Sequence, residues 1–542
     1  MGKRFLTAVG LVAAMGGMAI AQRAAPPAFP PGFVDPKPVL DAAVQAIGAD
    51  AMKCITVSGT AYAGAVGQQF ESDKNVDWPR GEGLTNYTRT MNWDAKTMQE
   101  EFDRKPGVNP ASYKFGVGWV DGPPQSNAHQ TFVVRDKQAW HIDGPGGSPV
   151  PVAPELAEIY QLEMWLNPPG FLKAARLPGA NPRAVWRWEL GESGRDGPEV
   201  APEKVTVVSI TMFGKYRVDA TINKNHLLQR IHTWVANPVL GDMNYEHEFT
   251  DNTYVDLGNG MRFPTLWHSH QGWDDNSRSQ NVTAGHNAFG GSLKDVKANA
   301  CGDPIAVPDA VRQATFPVRV DVQKLADGVW LLGGSSHNSV ALEFKDYVAV
   351  VEAPLDEKRS LAVIEEIVKL VPNKPIRFVV NTHQHYDHAG GLRAYMHIGA
   401  TIVTHQSNFA FYTHDVLNYA PRTVQPDMLS LWPPTELAEG YQYETVRENY
   451  VFTDEVRTAH VYFVNPLRHV DGMLMVFLPK EKLLIEADLL DTNVPLPATL
   501  SRDQQSFFRA VQKLKLDVGQ IVPIHGKPVP WADFARLASR TN

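Results

Sequence analysis

Three histidines and a carboxylate fall within six positions of one stretch, Asn381-Thr382-His383-Gln384-His385-Tyr386-Asp387-His388-Ala389-Gly390-Gly391. The stretch follows the apolar run Ile376 to Val380, whose β-branched residues predict a buried strand. Gly390 and Gly391 then open a helical pattern. The cluster is therefore expected on a loop at the C-terminal end of a strand, where α/β sheets hold their ligands. In extended backbone, side chains at i and i+2 point the same way, so His383 and His385 can hold one ion together. Asp387 and His388, where the chain turns, can hold a second. Imidazole nitrogen and carboxylate oxygen suit zinc, and iron or manganese also accept them.

The pattern HxHxDH followed by two glycines resembles the metallo-β-lactamase superfamily. The resemblance implies three more ligands in order, each at a strand end. His469 follows the expected strand Val456 to Val464 and begins His469-Val470-Asp471-Gly472, similar to the family's His with a Gly three residues on. Asp488 closes Leu483 to Ala487, where the family has an Asp bridging both metals. His525 closes Ile521 to Ile524 and precedes Gly526, similar to the family's final His-Gly. The resemblance thus implies one site from His383, His385 and His469, a second from Asp387, His388 and His525, and Asp488 linking the two. Two departures alter backbone freedom rather than ligand chemistry: Ala487 where the family usually has Gly, and Arg468 where a Gly is common.

Elements able to position these residues alternate from residue 318 onward. Gly328 to Leu332, Ser339 to Phe344 and Tyr347 to Glu352 are expected as hairpin strands, Ser360 to Leu370 as a helix before the Ile376 strand. Strands follow at Thr401 to Thr404, Val456 to Val464, Met473 to Leu478, Leu483 to Ala487 and Gln520 to Ile524, with helices at Gln504 to Leu514 and from Trp531. Residues 318–542 have the length of one α/β domain. The resemblance implies an αββα sandwich for it. The prolines at 304, 308 and 317 mark the boundary.

The preceding region, 38–315, is expected to be a mostly antiparallel β (α+β) domain of unknown role. A helix is expected over Pro38 to Lys53. Strands are expected at Ile55 to Ala61, Thr131 to Val134, Val205 to Phe213, Tyr216 to Ile222 and Gln229 to Trp234, with a helical insertion at Pro154 to Ala175. Its curved-sheet pattern resembles the half-barrels of lipoprotein carriers. Trp267-His268-Ser269-His270 also has HxH spacing, but no carboxylate cluster completes it, which favours a plain strand. His405 ends the Thr401 strand at a position whose family counterpart is not a regular ligand, and His397 is expected at the surface of a helix.

The 542 residues exceed one ordinary core and call for two or more domains. With 43% hydrophobic and 20% charged residues the composition is that of a folded soluble protein. A net charge of −8 and a pI near 6.1 give no support to nucleic-acid binding. Lys3 and Arg4, the apolar stretch Phe5 to Ile20 and Ala19-Ile20-Ala21 predict a signal peptide over 1–21, cleaved after Ala21. Residues 22–37 then form a linker, and the mature protein is periplasmic or secreted without a membrane span. Cys54 and Cys301 are the only cysteines. In an oxidising compartment they could form one disulfide; the alternative is two small buried hydrophobes.

The expected function is an exported zinc hydrolase holding two ions per chain. A hydroxide shared by ions roughly 3.5–4 Å apart would attack an ester, lactone, amide or related bond of a small molecule. Asp387 and Asp488 could orient the hydroxide or relay its proton while remaining ligands. No G-x-S-x-G or Ser-His-Asp signature points to a protein nucleophile. Alternatives are a β-lactamase, a mononuclear iron relative of the oxygenase type, and an apolar-ligand carrier with a vestigial metal site. The segment Val424 to Tyr450 either covers the mouth of the site or is ordinary packing.

Overall fold

A computed structural model describes residues 30, 32–72, 78–104, 128–189, 202–272, 286–413, 421–433, 441–497 and 499–539. The expected signal peptide and most of the expected linker lie outside these residues. Phe33 and Val34, at the end of that linker, pair antiparallel with Ala184 and Val185 and so join the first sheet.

Among the described residues the first sheet has fourteen antiparallel strands. Its centre is the series Gly241–Glu248, Leu266–Gln271, His286–Ala298 and Cys54–Gly64, each hydrogen-bonded to the next. One face is apolar and is covered by helices. The helix expected over Pro38 to Lys53 runs instead over Pro36–Ile47. Asp35 accepts the Lys37 N–H at its start, and Gly48 ends it in the left-handed region. The insertion expected at Pro154 to Ala175 is two helices, Pro154–Glu163 and Pro168–Ala174. Pro168 and Pro169 cannot continue the first but suit the opening turn of the second, where Asn167 accepts the Gly170 N–H. Arg89 is fully buried in this core, paired with Glu100 at 2.7 Å and Glu163 at 3.1 Å and lying over the Trp267 ring. Cys54 and Cys301 form a disulfide, so the oxidised alternative holds.

The second region is the αββα sandwich. A seven-stranded sheet starts with antiparallel hairpins and turns parallel at Val348–Val351, Ile376–Val380, Thr401–His405 and Tyr443–Val446. A six-stranded sheet runs from Asn449–Thr453 to Val529–Pro530. Their facing sides interdigitate through Val340, Leu342, Val351, Val380, Val461, Val476 and Ile485. The helix Glu357–Leu370 covers the first sheet; Arg502–Lys513 and Trp531–Ala538 cover the second. The near-continuous apolar strands reflect burial on both faces.

The two regions share a core and several polar ties. Arg422 donates to the carbonyls of Asn237, Pro238 and Val239, and Asp242 accepts from the Thr423 hydroxyl at 2.7 Å. The Gly67 carbonyl accepts the Tyr386 N–H. Gly67 has φ +76°, and a Cβ there would lie 2.2 Å from the Tyr386 ring, so only glycine allows this approach.

Candidate metal centre

Every ligand expected from the sequence stands at one edge of the two sheets. The strand Ile376–Val380 ends just before His383 and His385. Asp387 and His388 sit where the chain turns, in a one-turn helix Tyr386–Ala389, and Gly390 and Gly391 then lead into the expected helix, Leu392–His397, with Gly391 at its N-cap. That helical turn rotates both side chains back toward the strand ends. Strands Thr458–Phe463, Leu483–Glu486 and Gln520–Pro523 deliver His469, Asp488 and His525.

Asp488 lies at the centre. Its Oδ2 is 2.8 Å from His469 Nε2 and 3.3 Å from His383 Nε2. Its Oδ1 is 2.7 Å from His525 Nε2 and 3.0 Å from His388 Nε2. One carboxylate therefore faces two histidine groups with separate oxygens. Asp488 has φ +59°, a conformation that aspartate tolerates better than most side chains. It aims the carboxylate even though Ala487, not glycine, precedes it.

Two groups could each hold an ion: His383, His385, His469 and Asp488, and His337, His388 and His525. Asp387 faces the second group, with Oδ2 3.3 Å from His337 Nε2 and 3.9 Å from His388 Nε2. His337 was not anticipated. Its only sequence signal is a His in the Gly- and Ser-rich connection Gly333 to Ser339 between two strands. Glu352 was also missed. It is an acid closing the apolar strand Val348–Val351, and its carboxylate accepts from His388 Nδ1 at 2.7 Å and from the Thr382 N–H at 2.6 Å. That bond turns His388 Nε2 toward Asp488, as outer carboxylates do for metal-bound histidines. Asp503, in the first turn of the helix Arg502–Lys513, accepts the N–H groups of Arg468 and His469 and so holds the His469 loop.

The donor set fits metal ions. Among the described residues, His383 Nε2, His385 Nδ1 and His388 Nε2 are buried without a well-aligned hydrogen bond. Burial pushes His383 and His337 down to about 4, which leaves their lone pairs free to ligate. Burial would raise Asp387 and Asp488, but the surrounding histidines together outweigh it, His388 and His337 at Asp387 and His388, His525 and His383 at Asp488, and hold both carboxyls well below their usual range. Burial opposes charge on His388 too, yet Asp488, Asp387 and Glu352 lift it well above its usual value. A divalent cation answers the same negative potential, so metal binding would displace that proton.

The first domain reaches into this site. Gln68 Nε2 donates to Asp387 Oδ1 at 2.8 Å, the Gln69 carbonyl lies 3.2 Å from His385 Nε2, and the Phe70 carbonyl accepts the Asp471 N–H. The expected cover, Val424 to Tyr450, is engaged elsewhere in its described part. Asp427 binds Arg393, and Trp432 is 60% exposed. His405 is tied to Ser407 and to the Arg447 carbonyl, in keeping with a structural role. His397 is half-buried at the end of its helix rather than at the open surface.

An αββα scaffold with histidine and carboxylate groups converging at one sheet edge defines a class of metal-dependent protein. Residues 332–518, about a third of the chain, match the family model described as Metallo-beta-lactamase superfamily. The match lies within the C-terminal domain and supports a metal-dependent, hydrolase-like function for it. The matched range includes every residue of the two groups except His525. Among solved structures, the chain is similar to a metallo-beta-lactamase from Pontibacter korlensis at 17% identity and TM-score 0.32, covering 41% of this chain and 98% of that one. A metallo-beta-lactamase from Hirschia baltica is 18% identical with TM-score 0.30, covering 41% and 97%. FIM-1 from Pseudomonas aeruginosa, in its mono-zinc form, is 18% identical with TM-score 0.29, covering 41% and 95%. No curated protein matches.

Proposed function

We propose that this protein is an exported hydrolase holding two zinc ions per chain and cleaving an ester, lactone, amide or related bond of a small molecule. The observation that carries the reading is Asp488, whose two oxygens face the two histidine groups separately at 2.7–3.3 Å. Two bound ions would supply an activated water at neutral pH and positive charge for the developing oxyanion. His383, His385, His469 and Asp488 would hold one; His337, His388, His525 and Asp488, with Asp387 beside them, the other.

The chain's own groups do the rest. Asp387 keeps its carboxylate ionised and fixed by Gln68, so it can orient a water. Gln69, Gln384 and Phe70 close the side of His385 and exclude bulk solvent there. His383 and His388 side chains are fully buried, whereas those of His469 and His525 are 22% and 20% exposed. A substrate therefore approaches over the His469 and His525 side. The N-terminal leader expected from the sequence supports an enzyme exported to the periplasm or beyond, where it would act on small molecules.

The test is metal analysis of the purified protein joined to a screen of ester, lactone, β-lactam, sulfate-ester and phosphodiester substrates. Two equivalents of metal with turnover, both lost in His385→Ala, are expected. Full turnover in a metal-free His385→Ala protein would overturn the mechanism. Metal without turnover, together with co-purified lipid, would favour the carrier reading.

A further inference from the structure

The first domain carries a second His-x-His pair, and the fold supplies what its sequence lacked. His268 and His270 lie on the strand Leu266–Gln271. The neighbouring strand places Glu248 directly opposite His268 and Glu246 opposite His270. Directly paired residues share a face. One ligand atom from each of Glu248, His268 and His270 lies within 4.8 Å of the others.

Three details argue against an ordinary polar surface. His268 Nδ1 is 3.7 Å from Glu248 Oε2, too long for a hydrogen bond. It is close to the roughly 3.4 Å that separates two ligands of one tetrahedral zinc ion. The two imidazoles meet edge to face, with centroids 4.4 Å apart and planes at 80°. Finally, outer groups are in place. Tyr62 Oη is 3.0 Å from His268 Nε2, so with Nε2–H donating to it the Nδ1 lone pair faces Glu248. Glu246 lies beside it, opposite His270 on the same strand pair.

The row Glu248, His268, Gly290, Tyr62 crosses four adjacent strands in register. Gly290 makes it possible. A Cβ there would lie 2.2 Å from the Tyr62 ring, so only glycine lets the tyrosine lie across the strand to reach His268. Beside the row is a cavity of about 410 Å³, lined by Tyr62, Glu248, Trp267, His268 and Ser292.

We propose that Glu248, His268 and His270 form a separate metal centre in the first domain, binding one divalent ion of the zinc class with its open position toward this cavity. Two histidines and a carboxylate are a sufficient protein ligand set, and the cavity admits water or a small carboxylate or oxyanion as the fourth ligand. This centre is independent of the site at the sheet edges.

The full-length protein, stripped and reloaded with excess Co2+ then dialysed, tests it by metal count and visible absorption. The isosteric variant Glu248→Gln/His270→Gln should hold one equivalent fewer than wild type, with hydrolase turnover and far-UV circular dichroism unchanged. Conversely, His383→Ala/Asp488→Ala should still bind one equivalent with the spectrum of nitrogen and oxygen ligation. Tyr62→Phe, which removes no ligand, should keep that equivalent but weaken it about 10–100-fold. Equal metal counts in wild type and Glu248→Gln/His270→Gln would overturn the proposal. So would absence of metal from a folded His383→Ala/Asp488→Ala protein. If Glu248→Gln/His270→Gln misfolds, the His383→Ala/Asp488→Ala and Tyr62→Phe measurements decide alone.

Discussion

His383-Gln384-His385 and His268-Ser269-His270 share a spacing and nearly a geometry, with ring centroids 4.6 Å and 4.4 Å apart at 75° and 80°. Their surroundings differ. The first pair stands past the end of a strand, where loops from four other strand ends converge. It is joined by His388 of its own stretch and by His337, His469, Asp488 and His525 from those loops. The second stands within a strand of a continuous sheet, where it is reached across the strands, by Glu248 and Glu246 on the neighbouring strand and by Tyr62 beyond Gly290. A strand end thus permits a two-ion site, while a sheet face permits at most a sparse one. Chemistry that needs two ions belongs at the sheet edges.

That contrast can be broken most severely at Asp488. Asp488→Ala removes the one group facing both histidine sets. Metal analysis and turnover should show both ions weakened and activity down by more than about 100-fold, beyond the range of outer-group effects. Retention of one tightly held ion with full turnover would make the two sets independent, like the sheet-face pair. Next in size is Glu352→Gln, which frees the His388 ring. Chelator competition should show affinity for the ion near His388 reduced about 10–100-fold, with the Glu248 centre unaffected.

Gln68→Ala tests whether the first domain takes part in the edge site. Loss of one hydrogen bond to a charged carboxylate should lower kcat/KM on the order of tenfold while metal content stays constant. An unchanged kcat/KM would reduce the Gln68 loop to packing. Breaking the disulfide by Cys54→Ser/Cys301→Ser should lower the unfolding free energy of the first domain by about 2–4 kcal/mol, read by denaturant titration. Turnover of the folded protein should not change. The smallest effect is expected at Trp432→Ala. That side chain is 60% exposed, and kcat/KM should stay within about twofold if the segment plays no part in substrate entry.

The edge site was legible because its motif is local. His383, His385, Asp387 and His388 sit within one short stretch, so their types and spacing speak before any folding. His469, Asp488 and His525 were readable because each follows an apolar strand, and strand ends of such a sandwich share an edge. The strands themselves were mostly legible, down to Tyr216–Ile222 and Ile376–Val380. Helix limits were less so. The periodic pattern of Pro36–Ile47 runs on past Gly48, where the backbone turns left-handed.

What the sequence determined alone, then, is a motif of candidate metal ligands, the order of the residues that join it and the kind of scaffold that gathers them. Only the tertiary structure decided which groups complete and restrain it. Gln68 meets Asp387 across 319 residues, His337 comes from a turn with no chemical signature, and Glu352 looks like any acid after a strand. The His268 pair looked incomplete because its carboxylate lies on a different strand, brought opposite by register. Local spacing is written in neighbouring residues, whereas long-range pairing follows from how whole sheets bury their apolar faces, and no short stretch of chain encodes that.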